Sequence, residues 1–396
     1  MEREGSMRII PGQGSIGHIA KGCLFLIAIA MVAGTAGCEL FSAPGYEPEI
    51  WDWHDLDAMR YHPTGSFILM SNLDATTAGY RQLASDTAHE GRGWQPIGDI
   101  DDRFGGSFDG QGYQIRDLFV NRPDDSFVGL FGAVDNGGII RDVWVVDATV
   151  SGDWSVGGLA GANWGTVSNC YYSGSIRGED CVGGLVGGNA GGVNDSHSTA
   201  SVTGRWDVGG LVGANDAGGA VSGSYASGSV TGEWSVGGLL GGNWGGVLSS
   251  SCCSGSVSGE DYVGGLVGDN QGIVRNAYAT GSVTGQWHVG GLVGYNEGSV
   301  DNCYSAGTVN GSVWVGGLVG NSMDGSVRNS FWDKQASGVE ESDGGKGITT
   351  VDMQALATFT DAGWDIMAVL SGQADGTRLW NIVDGQTYPF LSWESG

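Results

Sequence analysis

The sequence is poor in basic residues, in proline and in long apolar runs, and each shortage excludes a class of protein. Only 17 Lys and Arg stand against 44 Asp and Glu, which gives a formal net charge of −27. This charge repels nucleic acids and anionic lipid surfaces. Seven prolines among 76 glycines exclude collagen, because the glycines follow no three-residue period. Neutral glycans, cations and proteins remain as partners.

The apolar run from Cys23 to Ala33 is too short to span a membrane and is typical of an export signal. It ends in Thr35-Ala36-Gly37-Cys38, where small residues before a cysteine resemble a bacterial lipobox. We therefore predict a signal peptide over residues 1–37, a lipid on Cys38 and a linker over residues 38–50. Thr35 stands where a larger aliphatic residue is usual, so ordinary signal cleavage is the alternative. The predicted location is the cell envelope, at the outer membrane or cell surface.

One phrase recurs seven times: a hydrophobic residue, Gly-Gly-Leu, a small or branched apolar residue, Gly and then Asn. Its leucines, at steps of 26 to 28 residues, are Leu159, Leu185, Leu211, Leu239, Leu266, Leu292 and Leu318. A looser copy, Gly129 to Gly132, precedes them. A fixed period of this length indicates stacked repeats in which each unit contacts mainly its neighbours.

The period predicts an all-β fold, a right-handed parallel β-helix with coils of about 26–28 residues and a cap at each end. Each period contains three short runs with apolar residues two apart, which is the periodicity of strands. Leucine-rich repeats need more leucines, propeller blades longer periods, and helical repeats stronger helix formers. Stacked coils pair every strand and bury the leucines in one column, and glycines at the corners permit positive φ and tight packing of the bends.

The predicted domains are an N-terminal cap with early coils over 51–126, the repeats over 127–332 and a C-terminal cap over 333–396. Trp51 to Arg60 has helix-compatible spacing, and Thr349 with Asp352 starts a second short helix. Large apolar side chains for a lid over the last coil are Trp364, Trp380, Tyr388, Phe390 and Trp393.

The Gly-Leu-x-Gly pattern resembles the GLUG motif, strongly so from Phe127 to Trp332. Trp94 to Gly98 and Gly106 to Gly110 before the repeats, and Ser330 to Asp333 after them, resemble segments that accompany this motif in secreted bacterial proteins. The motif occurs in large bacterial surface proteins, including some IgA-cleaving metallopeptidases, where it lies outside the catalytic part. The resemblance implies a surface location with an adhesive or structural role and implies no reaction.

Two columns of the repeat are expected to serve the fold. Cys170 and Cys303 share a column five coils apart, about 24 Å at the usual strand spacing, beyond the reach of a disulfide. We expect them to be buried free thiols. The asparagines of the phrase are expected to form a ladder of amides: Asn163, Asn189, Asn215, Asn243, Asn270, Asn296 and Asn321. The acidic run Asp99 to Asp102 is expected to be a turn rather than a cation site.

The turn before each Gly-Gly-Leu carries the candidate binding residues. Successive coils present Trp154, Asp180, Trp206, Trp234, Asp261 and Trp287, with Trp314 displaced by one position. Equivalent positions stack, so these side chains should form one stripe. The rings could pack on neighbouring turns, or they could bind a glycan, because flat aromatic faces accept sugar CH surfaces and carboxylates accept hydroxyl hydrogen bonds.

Two function classes follow. The first is a non-enzymatic, lipid-anchored surface protein, and the alternative is a β-helix polysaccharide lyase or glycoside hydrolase. We favour the first, because the carboxylates of the repeats lie in different columns and basic residues are scarce. We expect no catalytic residue, metal or cofactor, a glycan or surface protein as partner, membrane contact through the lipid alone, and a monomer.

Overall fold

The computed structural model describes residues 48–394. The predicted signal peptide and Cys38 lie outside this part of the chain. Helices are short and lie outside the repeats: Trp53–Ala58, Tyr80–Leu83, Lys334–Ser337, Thr350–Met353 and Leu356–Asp361, with 3-10 turns at Met59–Tyr61, Ala88–Gly91 and Ser392–Glu394. None of the described helices has the length and apolar character that a membrane crossing requires.

Within residues 48–394 the strands form four long parallel sheets, which we number in the order in which one coil passes through them. Sheet 1 contains Trp154–Gly157, Asp180–Gly183, Trp206–Gly209, Trp234–Gly237, Asp261–Gly264, Trp287–Gly290 and Val313–Gly316. Sheet 2 contains Phe131–Val134, Ala160–Asn163, Val186–Asn189, Val212–Asp216, Leu240–Trp244, Val267–Asn270, Val293–Asn296 and Val319–Ser322.

Sheets 3 and 4 begin before the repeats. Sheet 3 contains Glu49–Ile50, Ser66–Leu69, Ser107–Asp109, Ile139–Arg141, Thr166–Ser168, Gly192–Asn194, Ala220–Ser222, Val247–Ser249, Ile273–Arg275, Ser299–Asp301 and Ser326–Arg328. Sheet 4 contains Gln114–Arg116, Phe119–Asn121, Trp144–Ser151, Tyr171–Arg177, His197–Ser198, Ser201–Thr203, Tyr225–Ala226, Val230–Thr231, Cys252–Cys253, Val257–Ser258, Tyr278–Ala279, Val283–Thr284, Tyr304–Ser305, Val309–Asn310, Phe331–Asp333 and Lys346–Ile348. A small fifth sheet contains Ile366–Ala368, Trp380–Ile382 and Phe390–Leu391.

The predicted parallel β-helix is confirmed, but its coils contain more strands than the apolar pattern indicates. The coil that starts at Trp206 has five short strands, one each in sheets 1 to 3 and two in sheet 4. Apolar residues point inward on both sides of a corner, so their alternation does not show where the backbone bends. The right-handed sense stays a prediction.

The leucines of the phrase stack inside the coils, as predicted. Leu185 donates its amide to the carbonyl of Leu211 at 2.8 Å, and Leu211 donates to Leu239 at 3.0 Å. Each of these side chains is fully buried. One column of leucines therefore runs through the core at one coil per step.

The paired glycines of the phrase serve the tight packing expected at the bends, and not positive φ. A Cβ atom on Gly209 would lie 1.9 Å from the carbonyl oxygen of Val212, and one on Gly210 would lie 2.1 Å from that of Gly238. Neither glycine has positive φ. Only glycine lets the bend between sheets 1 and 2 approach the neighbouring backbone this closely.

The asparagine ladder is confirmed with one correction. Each Nδ2 from Asn163 to Asn270 donates to the Oδ1 of the next asparagine at 2.8–2.9 Å. At the last step Asn296 donates to Ser322 at 3.1 Å, because Ser322 and not Asn321 occupies the ladder register. Asn321 follows its leucine one residue sooner than the other asparagines do, and a shift of one residue reverses the direction of a side chain.

The cysteines and the acidic turn also behave as predicted. Cys170 and Cys303 are buried, and every cysteine within residues 48–394 is free. Burial raises the pKa of both thiols to about 12, so they stay protonated. The Asp99 carboxylate accepts the amides of Asp101 and Asp102, which closes the predicted turn.

The C-terminal segment covers the last coil, but the predicted lid aromatics do not form this cover. The last coil is closed by the loop around Ser342, whose Oγ accepts the amides of Leu318 and Val319 at 3.2 and 2.8 Å. The predicted lid aromatics instead pack along the outer side of sheet 4, where the ring centroids of Trp380 and Tyr278 lie 6.0 Å apart.

The predicted helices do occur, at Trp53–Ala58 and at Thr350–Met353, which is capped by Thr349. Glu49–Ile50 pairs with Ser66–Leu69 and so belongs to sheet 3 rather than to a linker.

Candidate functional site

The six candidate binding residues form one column at the first position of the sheet 1 strands. Asp180 pairs with Trp154 on one side and with Trp206 on the other. Trp234 continues the column from Trp206 to Asp261, and Asp261 pairs with Trp287. The next register position is Val313, so Trp314 is displaced by one residue, as the sequence indicates. We call this column the stripe.

The two ends of the stripe differ in exposure. Trp154, Trp206 and Trp234 are half-buried. The guanidinium of Arg205 covers the Trp206 ring at 4.0 Å, and the Trp206 Nε1 is buried with no hydrogen-bond partner within residues 48–394. Trp287, in contrast, is 45% exposed. The rings of the earlier coils therefore contribute mainly to packing, and flat indole surface is available at the last coils.

A second column lies directly beside the stripe, and its backbone is unusual. It contains Phe127, Ser155, Cys181, Asp207, Ser235, Tyr262, His288 and Trp314, and all of them have φ between 47° and 59°. Positive φ is uncommon for residues other than glycine, and more so for bulky ones. Most of them stand at the second position of a sheet 1 strand and face sheet 2 of the next coil, where a Cβ atom on Gly188 would lie 3.3 Å from the Ser155 Oγ. We call this column, with the sheet 2 residues that face it, the crease.

Carboxylates that are distant in sequence meet in the crease. The ligand atoms of Asp180, Cys181 and Asp207 all lie within 4.8 Å of one another. The Cys181 thiol donates to Asp180 at 3.3 Å, and Asp207 accepts the Trp244 indole N–H at 3.2 Å. Desolvation, then the charges of Asp180 and Asp269, raise the pKa of Asp207 well above its usual value.

Asp269, in the sheet 2 strand Val267–Asn270, is a further carboxylate whose charge acts on Asp207. It is 4% exposed, and its Oδ1 has no hydrogen-bond partner in the described part of the chain. Burial, with smaller contributions from Glu297 and Asp261, raises its pKa to about 7. A carboxyl group in this state resembles those of binding and catalytic sites rather than a surface charge.

Aromatic rings fill the crease toward its C-terminal end. Tyr262 and Tyr295 stack with centroids 4.9 Å apart, and His288 stacks on Trp314 at 4.4 Å. The His288 Nδ1 lies 2.6 Å from an Asp261 oxygen, which joins the crease to the stripe. The exposed indoles of Trp287 and Trp314 are 6.1 Å apart at this end.

The sequence predicted the stripe but missed the crease. The only sequence signal for the crease was the position directly after each stripe residue, where the chemistry of the side chain changes from coil to coil. Asp207 and Asp269 belong to different columns and lie two repeats apart, so no spacing rule brings them together.

A ladder of rings also lies on the outer side of sheet 4. His197 stacks between Tyr171 at 4.5 Å and Tyr225 at 4.6 Å. Trp144 and Trp393 extend the ladder at its two ends. Burial between the rings lowers the pKa of His197 from its ordinary value of 6.5. A neutral imidazole is thus part of this surface.

Comparison with known proteins identifies the repeats. The GLUG motif family matches residues 152–177, 204–231, 259–284 and 285–310. The chain is 42% identical over 82 residues to the "Putative Gly-rich membrane protein" of Evansella cellulosilytica, covering 20% of this chain and 10% of that protein. It is 38% identical over 120 residues to Halomucin of Haloquadratum walsbyi, covering 26% and 1%. The chain thus spans a tenth or less of the length of these relatives.

A solved structure described as a putative immunoglobulin A1 protease from Bacteroides ovatus is also similar. The TM-score is 0.49 at 18% identity, over 89% of this chain and 94% of that one. The motif matches and the strand pairing, without this structure, confirm that the chain carries GLUG-motif repeats folded as a parallel β-helix.

Proposed function

We propose that the protein is a non-enzymatic, exported surface protein, anchored by a lipid on Cys38, that binds glycans through the stripe in an adhesive or structural role. The observation that carries the proposal is the single column of indoles and carboxylates, with Trp287 exposed at its end. Indole faces accept the CH surface of a sugar, and a nearby carboxylate accepts its hydroxyl groups. The strongly acidic surface favours a neutral glycan over an anionic one.

The names of the relatives support a location at the cell envelope. One relative is named as a membrane protein and the other as a halomucin. The aligned parts are the repeats, so the support extends to the repeat module rather than to the activity of the larger proteins.

A glycan array tests the binding. We expect Trp287→Ala combined with Trp314→Gly to remove binding of neutral glycans, with the circular dichroism spectrum and melting temperature nearly unchanged, because both rings are exposed and glycine relieves the positive φ at position 314. Trp51→Ala is the matched control, since Trp51 is 52% exposed and lies outside the stripe. Binding that survives the double change would contradict the proposal. Equal loss of binding and stability would assign these rings to the fold.

Mass spectrometry of the mature protein from its host tests the anchor. We expect an acylated N-terminal Cys38, and Cys38→Ser should release the protein from the membrane fraction. An unmodified soluble mature form would contradict lipidation and leave ordinary signal cleavage.

The alternative, a glycoside hydrolase or polysaccharide lyase, gains support from one observation. The crease holds Asp207 and Asp269, both with a raised pKa, beside the stripe. A hydrolase needs a protonated and an ionised carboxyl group on either side of a bond. We expect no turnover of neutral glycans or uronate polymers, with or without calcium. Turnover that Asp207→Asn or Asp269→Asn abolishes would establish the enzyme instead.

A further inference from the structure

The stripe ends in a part of the chain that has very little positive charge. Residues 259–324 contain one arginine, Arg275, against six acidic residues: Glu260, Asp261, Asp269, Glu297, Asp301 and Asp324. Arg275 stands in sheet 3, and within residues 259–324 the strands of sheets 1 and 2 carry no lysine or arginine. A ligand at this end of the stripe therefore meets a negative potential.

One carboxylate lies directly beside the exposed indoles of Trp287 and Trp314. Asp261 pairs with Trp287 in sheet 1, and one of its oxygens lies 2.6 Å from the Nδ1 of His288. The ring of His288 stacks on Trp314 at 4.4 Å. Asp261 is buried and already bonded to His288, so it contributes negative potential rather than an accessible hydrogen-bond acceptor.

Glu297 is the exposed carboxylate of this neighbourhood. It accepts the hydroxyl of Tyr295 at 3.0 Å. The ring centroid of Tyr295 lies 5.7 Å from that of His288, so two rings connect Glu297 with the indole of Trp314. A ligand on the indoles can reach this carboxylate from solvent.

Asp269 shows that negative charge is in excess here. It pairs with Tyr295 in sheet 2, is 4% exposed, and its Oδ1 has no hydrogen-bond partner within residues 48–394. Burial, followed by the charges of Glu297 and Asp261, raises its pKa to about 7. Burial, then the hydrogen bond and the charge of Glu297, also raise the pKa of Tyr295. Both shifts favour a proton, and for the same reason the group favours a cationic ligand.

A fitting ligand offers an apolar face to the indoles and a positive charge to the carboxylates. A sugar with a free amino group has both. Its CH face stacks on an indole, and its ammonium donates to carboxylate oxygens and is attracted to ring faces. An acylated amino sugar lacks the charge, and an acidic sugar is repelled.

We propose that the C-terminal end of the stripe, at Trp287 and Trp314, selects glycans that carry free amino groups, with Glu297 as the partner of the ammonium. The inference rests on the proposed function, because it assumes that these indoles stack on sugars. It adds the chemical class of the glycan. The earlier coils do not share this selectivity, since the guanidinium of Arg205 covers the ring of Trp206 at 4.0 Å.

Two oligomers of equal length, one of glucosamine and one of N-acetylglucosamine, provide the probe, because they differ only in the acetyl groups. Isothermal titration calorimetry at about pH 6 keeps amines protonated and exposed glutamates ionised. We expect the glucosamine oligomer to bind about tenfold more tightly at low ionic strength, since it adds a hydrogen bond between charged groups. Added salt should reduce this preference.

Glu297→Gln should reduce the ratio of the two affinities to less than about threefold, because the exposed partner of the ammonium loses its charge. Glu179→Gln is the matched control. Glu179 is also exposed and precedes Asp180 near the other end of the stripe, so the control loses the same charge and should keep the preference. Both variants should melt at nearly the temperature of the unchanged chain.

The outcomes separate this inference from the proposed function. Equal affinity of the unchanged chain for the two oligomers would overturn the inference and leave glycan binding intact. Binding of neither oligomer, with no neutral glycan bound on the array, would overturn both. An oligolysine that binds as tightly as the glucosamine oligomer would also overturn the inference, because the site would then recognise charge without sugar. A preference that Glu297→Gln removes and Glu179→Gln keeps supports it.

Discussion

Two columns of this β-helix are equally regular and differ in what occupies them. The ladder repeats asparagine at each step from Asn163 to Asn296, buried and bonded from coil to coil. The crease repeats a backbone conformation but changes its side chain at nearly every step, from Cys181 to Asp207 to Tyr262. Uniform residues satisfy a requirement that every coil shares. Variable residues at a fixed backbone conformation mark a surface where the side chains of neighbouring coils have different roles.

A third column makes the contrast sharper, because it shares positive φ with the crease. At the corner between sheets 3 and 4 the residues with φ from 48° to 59° are Asp142, Asn169, Asp195, Gly223, Ser250, Asn276, Asn302 and Asn329. Asn, Asp and Gly are the residues that adopt this conformation most readily. The corner therefore follows the local rule for its backbone. The crease departs from that rule, and such departures are concentrated at functional sites.

Breaking the uniform ladder should have the largest effect. Asn243→Ala removes the acceptor of the Asn215 amide and the donor to Asn270, two buried hydrogen bonds. Because each buried group left unpaired costs about 1–3 kcal/mol, we expect the free energy of unfolding to fall by about 3–5 kcal/mol in urea denaturation. Asn321→Ala is the matched control and should change it by less than about 0.5 kcal/mol, since Asn321 lies off the ladder. Similar effects of the two changes would make the ladder unimportant.

The leucine column, which is also uniform, should come next. Leu292→Ala leaves a cavity in a coil that is held from both sides, so the free energy of unfolding should fall by about 2–4 kcal/mol. Val351→Ala, at a side chain that is 75% exposed, is the control and should be nearly neutral. A loss below about 1 kcal/mol for Leu292→Ala would mean that the coils can collapse around the gap.

A change in the variable column should affect stability much less. Trp314→Gly loses a ring stacked on His288 but relieves a positive φ of 52°, two effects of about 1 kcal/mol with opposite signs. We expect a free energy of unfolding within about 1 kcal/mol of the unchanged chain. Trp314→Ala should be less stable than Trp314→Gly by about 1 kcal/mol, because alanine keeps the unfavourable φ. A large loss in both variants would place Trp314 in the fold.

The smallest effect concerns pH and the ring ladder of sheet 4. The pKa of His197 is below 6.5 in the folded chain, so the unfolded chain takes up its proton first as pH falls. Stability from the neutral imidazole is present above pH 6.5 and is lost below it. Between about pH 8 and about pH 5, the melting temperature of His197→Tyr, which matches Tyr171 and Tyr225, should fall less than that of the unchanged chain. Identical pH profiles would show that His197 titrates equally in both states.

Much of the fold follows from residues close together in the sequence. The step between leucines predicts the stacked coils, and Thr349 with Asp352 predicts a helix that occurs at Thr350–Met353. Other features needed the three-dimensional register. Asn321 looks equivalent to the ladder asparagines until pairing places Ser322 there. The aromatic residues of the C-terminal segment were expected to cover the open end of the last coil. Composition predicts that such side chains are buried, but it does not show which surface they cover.

The sequence by itself determined the parallel β-helix, the stripe and the buried leucine and asparagine columns, because each depends on one repeat period and on stacking of equivalent positions. Only the tertiary structure decided that the glycine pairs have no positive φ, that the C-terminal aromatic residues cover sheet 4, and that Asp207 meets Asp180 and feels the charge of Asp269. The physical reason is the bend between sheets 1 and 2. It places a residue of one coil against a different column of the next, and a period read along the chain contains no information about contacts between columns.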